Sequence, residues 1–160
     1  MSQARPPVKT ATMMALPMKS IYLTLLLFMG LSGFGQMPIF KRYYIADVPG
    51  LGWLAQYYVT HYIHYLGAIL LLAIGAYYAM LYLADRHRNL RISVYGWLQG
   101  SVMAGIFVTG ALRVIKNYAG ITMSSGLVVF LDILHLVLVM AFIAIGLAGL
   151  FFRKQWTIVR

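Results

Sequence analysis

Four residues stand where a lipid environment would reject them: His61, His64, Asp132 and His135 all fall inside long apolar stretches. A carboxylate in mid-membrane costs about 2.5–3.5 kcal/mol on insertion scales, so residues of this kind usually face protein and carry a partner or a task. The chemistry open to them is narrow. The sequence has no cysteine, which excludes disulfides, thiolate nucleophiles and an iron–sulfur cluster held by this chain alone. Metal chemistry is left to four His, three acids and ten Met. Imidazoles from two helices are the ligand set of a bis-histidine haem. His61 and Asp132, each three residues from a possible ligand, suit a hydrogen-bonded pair, a proton relay or part of a quinol site.

These residues must be positioned by elements that lipid accepts. Of 160 positions, 62% are hydrophobic and 10% charged, far from the globular range. Four runs are long enough to cross a hydrocarbon core as helices, which takes about 20 residues. They are residues 20–37, 57–83, 92–112 and 127–152. None alternates with the period of two that a membrane strand requires, so an all-α, integral membrane four-helix bundle is expected. The first run follows a basic segment as a signal peptide would, yet no small-x-small cleavage site follows it, so it reads as a helix. Residues 1–19 read as a cytoplasmic tail and 20–160 as the four-helix domain. No internal repeat, low-complexity segment or soluble domain is visible.

Orientation follows from the basic residues. Arg5, Lys9, Lys19, Arg86, Arg88, Arg91, Arg153, Lys154 and Arg160 lie on one side of the runs; Lys41, Arg42, Arg113 and Lys116 lie on the other. Nine against four places both termini and the second loop in the cytoplasm. The formal charge of +10 thus sets topology rather than marking a nucleic-acid partner. The first loop is then external, with Asp47-Val48-Pro49-Gly50 as a turn. Trp53, Tyr57, Tyr58 and Tyr62 fit an outer aromatic belt, and Trp97 and Trp156 an inner one.

Depth selects the ligands. His64 lies 22 positions from Arg86 and His135 18 from Arg153. At about 1.5 Å per residue the mismatch is about 6 Å, which tilt and fraying absorb. His64 and His135 are therefore expected at one level near the outer face, with His61 and His135 the alternative pair. His64, Gly67, Ala68, Leu71 and Gly75 share one helical face, where small residues leave room for a flat macrocycle. Val139, Phe142 and Gly146 continue the face of His135. Lys41, Arg42, Arg113 and Lys116 gather at the outer end, where haem propionates want cations.

Plainer roles compete. Intramembrane His can simply bond helix to helix, at about 0.6 kcal/mol each. His87 reads as a solvated loop residue, and the Met residues, Met13-Met14 among them, read as packing or tail. Gly96-x-x-x-Gly100 with Ala104 reads as a close-approach seam on the third helix, with Gly146 and Gly149 acting likewise. A small proton-coupled transporter is disfavoured by the lack of an inverted repeat, of proline-broken helices and of polar residues in the inner half of the membrane.

The first run's ending Leu31-Ser32-Gly33-Phe34-Gly35, the His64-x-x-Gly67 near the outer start of the second run and His135 on the fourth resemble the membrane cytochrome b (gamma) subunit of respiratory formate dehydrogenases and related hydrogenases. The resemblance implies two b haems stacked across a bacterial inner membrane, electron transfer between an outer-face catalytic module and the quinone pool, and menaquinone near the inner haem. This sequence departs from that pattern. Its first helix begins Lys19-Ser20-Ile21-Tyr22-Leu23 without the family's inner-haem His, and no His lies near Gly149. The expectation is one haem b, held by His64 or His61 together with His135 and lined by Gly67, Gly75 and Arg113. Menaquinone or ubiquinone would react near His61, Asp132 and Arg113. The expected role is a non-catalytic electron-transfer subunit beside an iron–sulfur or multihaem c-type partner on the outer face; a haem-free scaffold forming part of a quinone pocket is the alternative.

Overall fold

In the computed structural model, which describes residues 16–37, 45–84 and 89–159, four helices are long and apolar enough to cross a membrane. They are α1 (Leu16–Gly35), α2 (Tyr57–Ala84), α3 (Val94–Ile115) and α4 (Ser125–Phe151). The 20 residues of α1 rise about 30 Å, one hydrocarbon thickness, and the 28 of α2 about 42 Å. The chain is an all-α, multi-pass membrane protein. Lys41, Arg42, Arg86, His87, Met13-Met14 and most of the 1–19 tail lie outside the described residues.

The interior is not that of a water-soluble protein. Among the described residues the buried apolar side chains are Leu54, Leu71, Leu90, Leu131 and Phe142, and the buried polar ones are Ser32, Thr60, Gln99 and Thr109. Nearly equal numbers of each mean that burial selects for close approach and hydrogen bonding, while the apolar mass faces outward. Tyr58, Tyr62 and Trp97 are 85%, 74% and 64% exposed, as residues of an aromatic belt must be.

Two compact units divide the chain, Met1–Arg86 and His87–Arg160. In the first, α1 and α2 run antiparallel. Helix α1 starts four residues before the expected boundary, with Pro17 in its first turn, where the missing N–H costs nothing. It ends when Met37 N–H bonds the Phe34 carbonyl at 2.9 Å. The following connection contains two 3₁₀ turns, Ile45–Asp47 and Gly52–Ala55. Between them a turn forms over Val48–Leu51, one residue later than expected: Leu51 N–H bonds the Val48 carbonyl at 2.9 Å, and Gly50 takes φ +88°, a left-handed conformation open to glycine after a proline. Leu54 is 1% exposed and packs where Gly35 lacks a side chain, since a Cβ there would lie 2.9 Å from Leu54 Cδ2.

In the second unit α3 and α4 also run antiparallel, each with a serine at its N-cap. Ser93 Oγ accepts from Gly96 N–H at 2.9 Å and Ser124 Oγ from Leu127 N–H at 3.4 Å, which explains starts a few residues away from where hydropathy places them. A two-stranded antiparallel ribbon, β1 (Leu90–Ile92) with β2 (Thr157–Val159), ties the entry to α3 to the chain beyond α4, with Arg91 opposite Ile158. No hydropathy signal announced it. The Gly96/Gly100 seam needs correcting accordingly. A Cβ on Gly96 would collide with the Trp156 carbonyl, so this glycine admits the ribbon, whereas Gly100 meets nothing within 4 Å.

Candidate functional site

Each helix pair holds one polar cluster near its connecting loop. In the first pair, His64 Nδ1 lies 3.1 Å from Ser32 Oγ. A Cβ on Gly33 would sit 3.2 Å from His64 Cε1, so the glycine lets the ring lie close to α1. One turn nearer the loop, His61 Nδ1 is 3.2 Å from Gln36 Oε1. That oxygen can only accept, so His61 donates. The Gln36 amide nitrogen meanwhile donates to the Ser32 carbonyl at 3.2 Å. His61 is also covered along its own helix: its ring stacks on Tyr57, with centroids 5.3 Å apart, and approaches Tyr65 at 4.2 Å.

The second pair repeats this plan. His135 Nδ1 lies 2.8 Å from Thr109 Oγ1, and a Cβ on Gly110 would come 3.4 Å from His135 Cε1. One turn nearer the loop, Arg113 Nε donates to Asp132 Oδ1 at 2.7 Å, with Lys116 Nζ 3.5 Å from the same oxygen. Ser32-Gly33-x-x-Gln36 against His61-x-x-His64 thus matches Thr109-Gly110-x-x-Arg113 against Asp132-x-x-His135. The correspondence is local, and little of it shows in the sequence because only the hydroxyl, the glycine and the final His are common to the two pairs; Gly35, at one of the differing positions, packs on Leu54 and Thr60.

His61 and Asp132, expected as a possible pair, each find a partner inside their own unit. Gly67 also takes a different role from the one its helical face suggested. A Cβ there would run into Met29 Sδ of α1, so its smallness serves the α1–α2 contact and leaves no room for a macrocycle on that side. Gly75 meets nothing within 4 Å. Gly146 and Gly149 act as helix-packing residues, as expected: the first faces the Gln99 amide and the second accommodates the Tyr95 ring.

The roles of Ser32, Gln36, Thr109 and Gln99 are not evident from the sequence. Ser and Thr in a helix satisfy their own hydroxyls on carbonyls three or four residues back, so they leave little trace in hydropathy. Gln99 does carry a signal, an amide within an apolar run. It is 4% exposed and donates to the Phe142 carbonyl at 3.3 Å, so polar residues are not lacking in the half of α3 away from the His level.

Among the described residues, no group of three or more His, Cys, Asp or Glu gathers that could hold a bare metal ion. A macrocycle supplies four equatorial bonds itself and asks only two axial ligands of the protein. Comparison with known proteins found no matching family model, no matching curated protein and no matching solved structure.

Proposed function

We propose that this chain is a membrane-anchor and electron-transfer subunit of a respiratory oxidoreductase complex, linking an outer-face redox partner to the quinone pool through one bis-histidine b haem. The observation that carries the reading is the repetition. Two helix pairs of different sequence each hold an imidazole by Nδ1 on a neighbouring hydroxyl, with a glycine against the ring edge. Anchoring Nδ1 in this way is how proteins orient a His that ligates through its other nitrogen. The repeat favours one of the two candidate ligands of α2: His64 corresponds to His135, whereas His61 corresponds to Asp132.

The donor set therefore fits a b haem, whose one-electron chemistry the cofactor itself supplies when bound. The chain's residues do the rest. His64 and His135 would hold the group. Arg113 and Lys116 outnumber Asp132 and offer cationic charge for a carboxylate at the loop end. His61, donating to Gln36 between two tyrosine rings, is a group that can pass a proton beside a quinone headgroup. In this reading the connecting loops are external, both termini are cytoplasmic and the membrane is the bacterial inner membrane, as the distribution of basic residues supports.

A reduced-minus-oxidised spectrum of the purified protein, with a haem-to-protein ratio, tests the proposal: one b haem per chain is expected, and an absent α-band refutes it. A haem-free scaffold is the rival with an observation behind it, because the same hydroxyl–imidazole bonds would tie helix to helix without a cofactor. That rival expects full assembly and an unchanged spectrum when His135 is replaced by Ala.

A further inference from the structure

The hydroxyls beside the two imidazoles define a proton inventory. Thr109 Oγ1 has one hydrogen. It lies 2.8 Å from the Gly105 carbonyl and 3.1 Å from the Ile106 carbonyl, and carbonyl oxygens can only accept. With the hydroxyl hydrogen on the nearer of these carbonyls, the oxygen's remaining contact, His135 Nδ1 at 2.8 Å, is one in which the imidazole donates. Ser32 repeats the case: its Oγ donates to the Met29 carbonyl at 3.2 Å and stands 3.1 Å from His64 Nδ1. Both hydroxyls are buried, Ser32 at 0% and Thr109 at 4% exposure, so water does not compete for these bonds.

From this geometry we infer that Ser32 and Thr109 are positioning residues that hold His64 and His135 in the Nδ1–H form, each hydroxyl oxygen accepting from the ring and leaving Nε2 as the nitrogen that carries the lone pair. The inference concerns the protonation of two rings and deepens the haem reading without depending on it for its test. A neutral imidazole with Nδ1 protonated ligates only through Nε2. An acceptor on Nδ1–H also makes the ring a more basic ligand, which favours the oxidised, more positive iron. Ser32 and Thr109 therefore lower the reduction potential of a haem that these rings ligate. The Thr109 bond, 0.3 Å shorter by the two distances above, has the larger effect.

The experiment uses the purified full-length protein and the variants Thr109→Val, Thr109→Ser and Ser32→Ala. Val has the shape of Thr without the acceptor, and Ser retains the acceptor. With haem bound, the midpoint potential of Thr109→Val is expected to move to a more positive value at unchanged haem-to-protein ratio, with Thr109→Ser returning it to the parent value. Ser32→Ala, a smaller disturbance that keeps the test open if Thr109→Val fails to assemble, is expected to shift the potential the same way by less. A parent potential retained in both Thr109→Val and Ser32→Ala overturns the inference. If the protein carries no haem, the functional reading fails separately and imidazole ¹⁵N chemical shifts decide the inference instead. Nδ1–H rings at His64 and His135, lost at His135 in Thr109→Val, uphold it; Nε2–H rings in the parent protein overturn it.

Discussion

Near its connecting loop the first helix pair closes with neutral groups, Gln36 and His61, whereas the second closes with charges, Arg113 and Lys116 on Asp132. One turn further from the loop the two pairs agree, with hydroxyl, glycine and imidazole in the same relation. Beyond that level they part again. The first pair solves its close approach with a glycine on α2 beneath Met29 of α1, and the second with a glycine on α3, Gly105, beneath Leu138 of α4. The second then adds a buried amide, Gln99, and a tyrosine over Gly149. Packing and surface charge differ between the two pairs, and the hydroxyl, glycine and imidazole are what they share.

The sharpest way to break this comparison is at that level. His64→Ala and His135→Ala are each expected to remove essentially all bound haem, read as the haem-to-protein ratio, while His61→Ala keeps it. Loss of haem on replacing His61 with retention on replacing His64 would undo the correspondence between the two pairs. The next effect in size is steric and belongs to the second pair alone. Gly96→Ala drives a methyl into the Trp156 carbonyl, a backbone atom that cannot rotate away, and is expected to cost about 1–3 kcal/mol in detergent unfolding. Gly100→Ala, with open space around it, serves as the neutral control.

Asp132→Asn tests the charged closure. It leaves Arg113 and Lys116 facing each other without their shared carboxylate. At 34% and 42% side-chain exposure for Arg113 and Asp132, the expected loss is about 1–2 kcal/mol, between a solvated pair and a buried one. Gln36→Ala removes the corresponding neutral bond in the first pair and is expected to cost only about 0.6 kcal/mol, the typical interhelical hydrogen bond in a membrane. Equal losses in these two variants would mean that charge adds nothing to the second closure.

Much of the architecture was legible before any coordinates. Lipid demands about 20 apolar residues per crossing, and a sequence cannot meet that demand without displaying it. All four helices therefore lie within a few residues of where hydropathy put them, displaced at their starts by the Ser93 and Ser124 caps and by Pro17. The rarity of ionisable groups in such runs likewise made His61, His64, Asp132 and His135 stand out.

What the sequence by itself determined is thus the list of spans and the residues that lipid rejects, because both follow from transfer energies that belong to each residue separately. The tertiary structure alone decided their partners: Ser32 and Thr109 for the imidazoles, Gln36 for His61, Arg113 and Lys116 for Asp132, Met29 for Gly67 and the Trp156 carbonyl for Gly96. A hydrogen bond or a close contact is a property of two positions at once. Small polar residues that can also satisfy themselves on their own helix show which second position they serve only when the helices are packed.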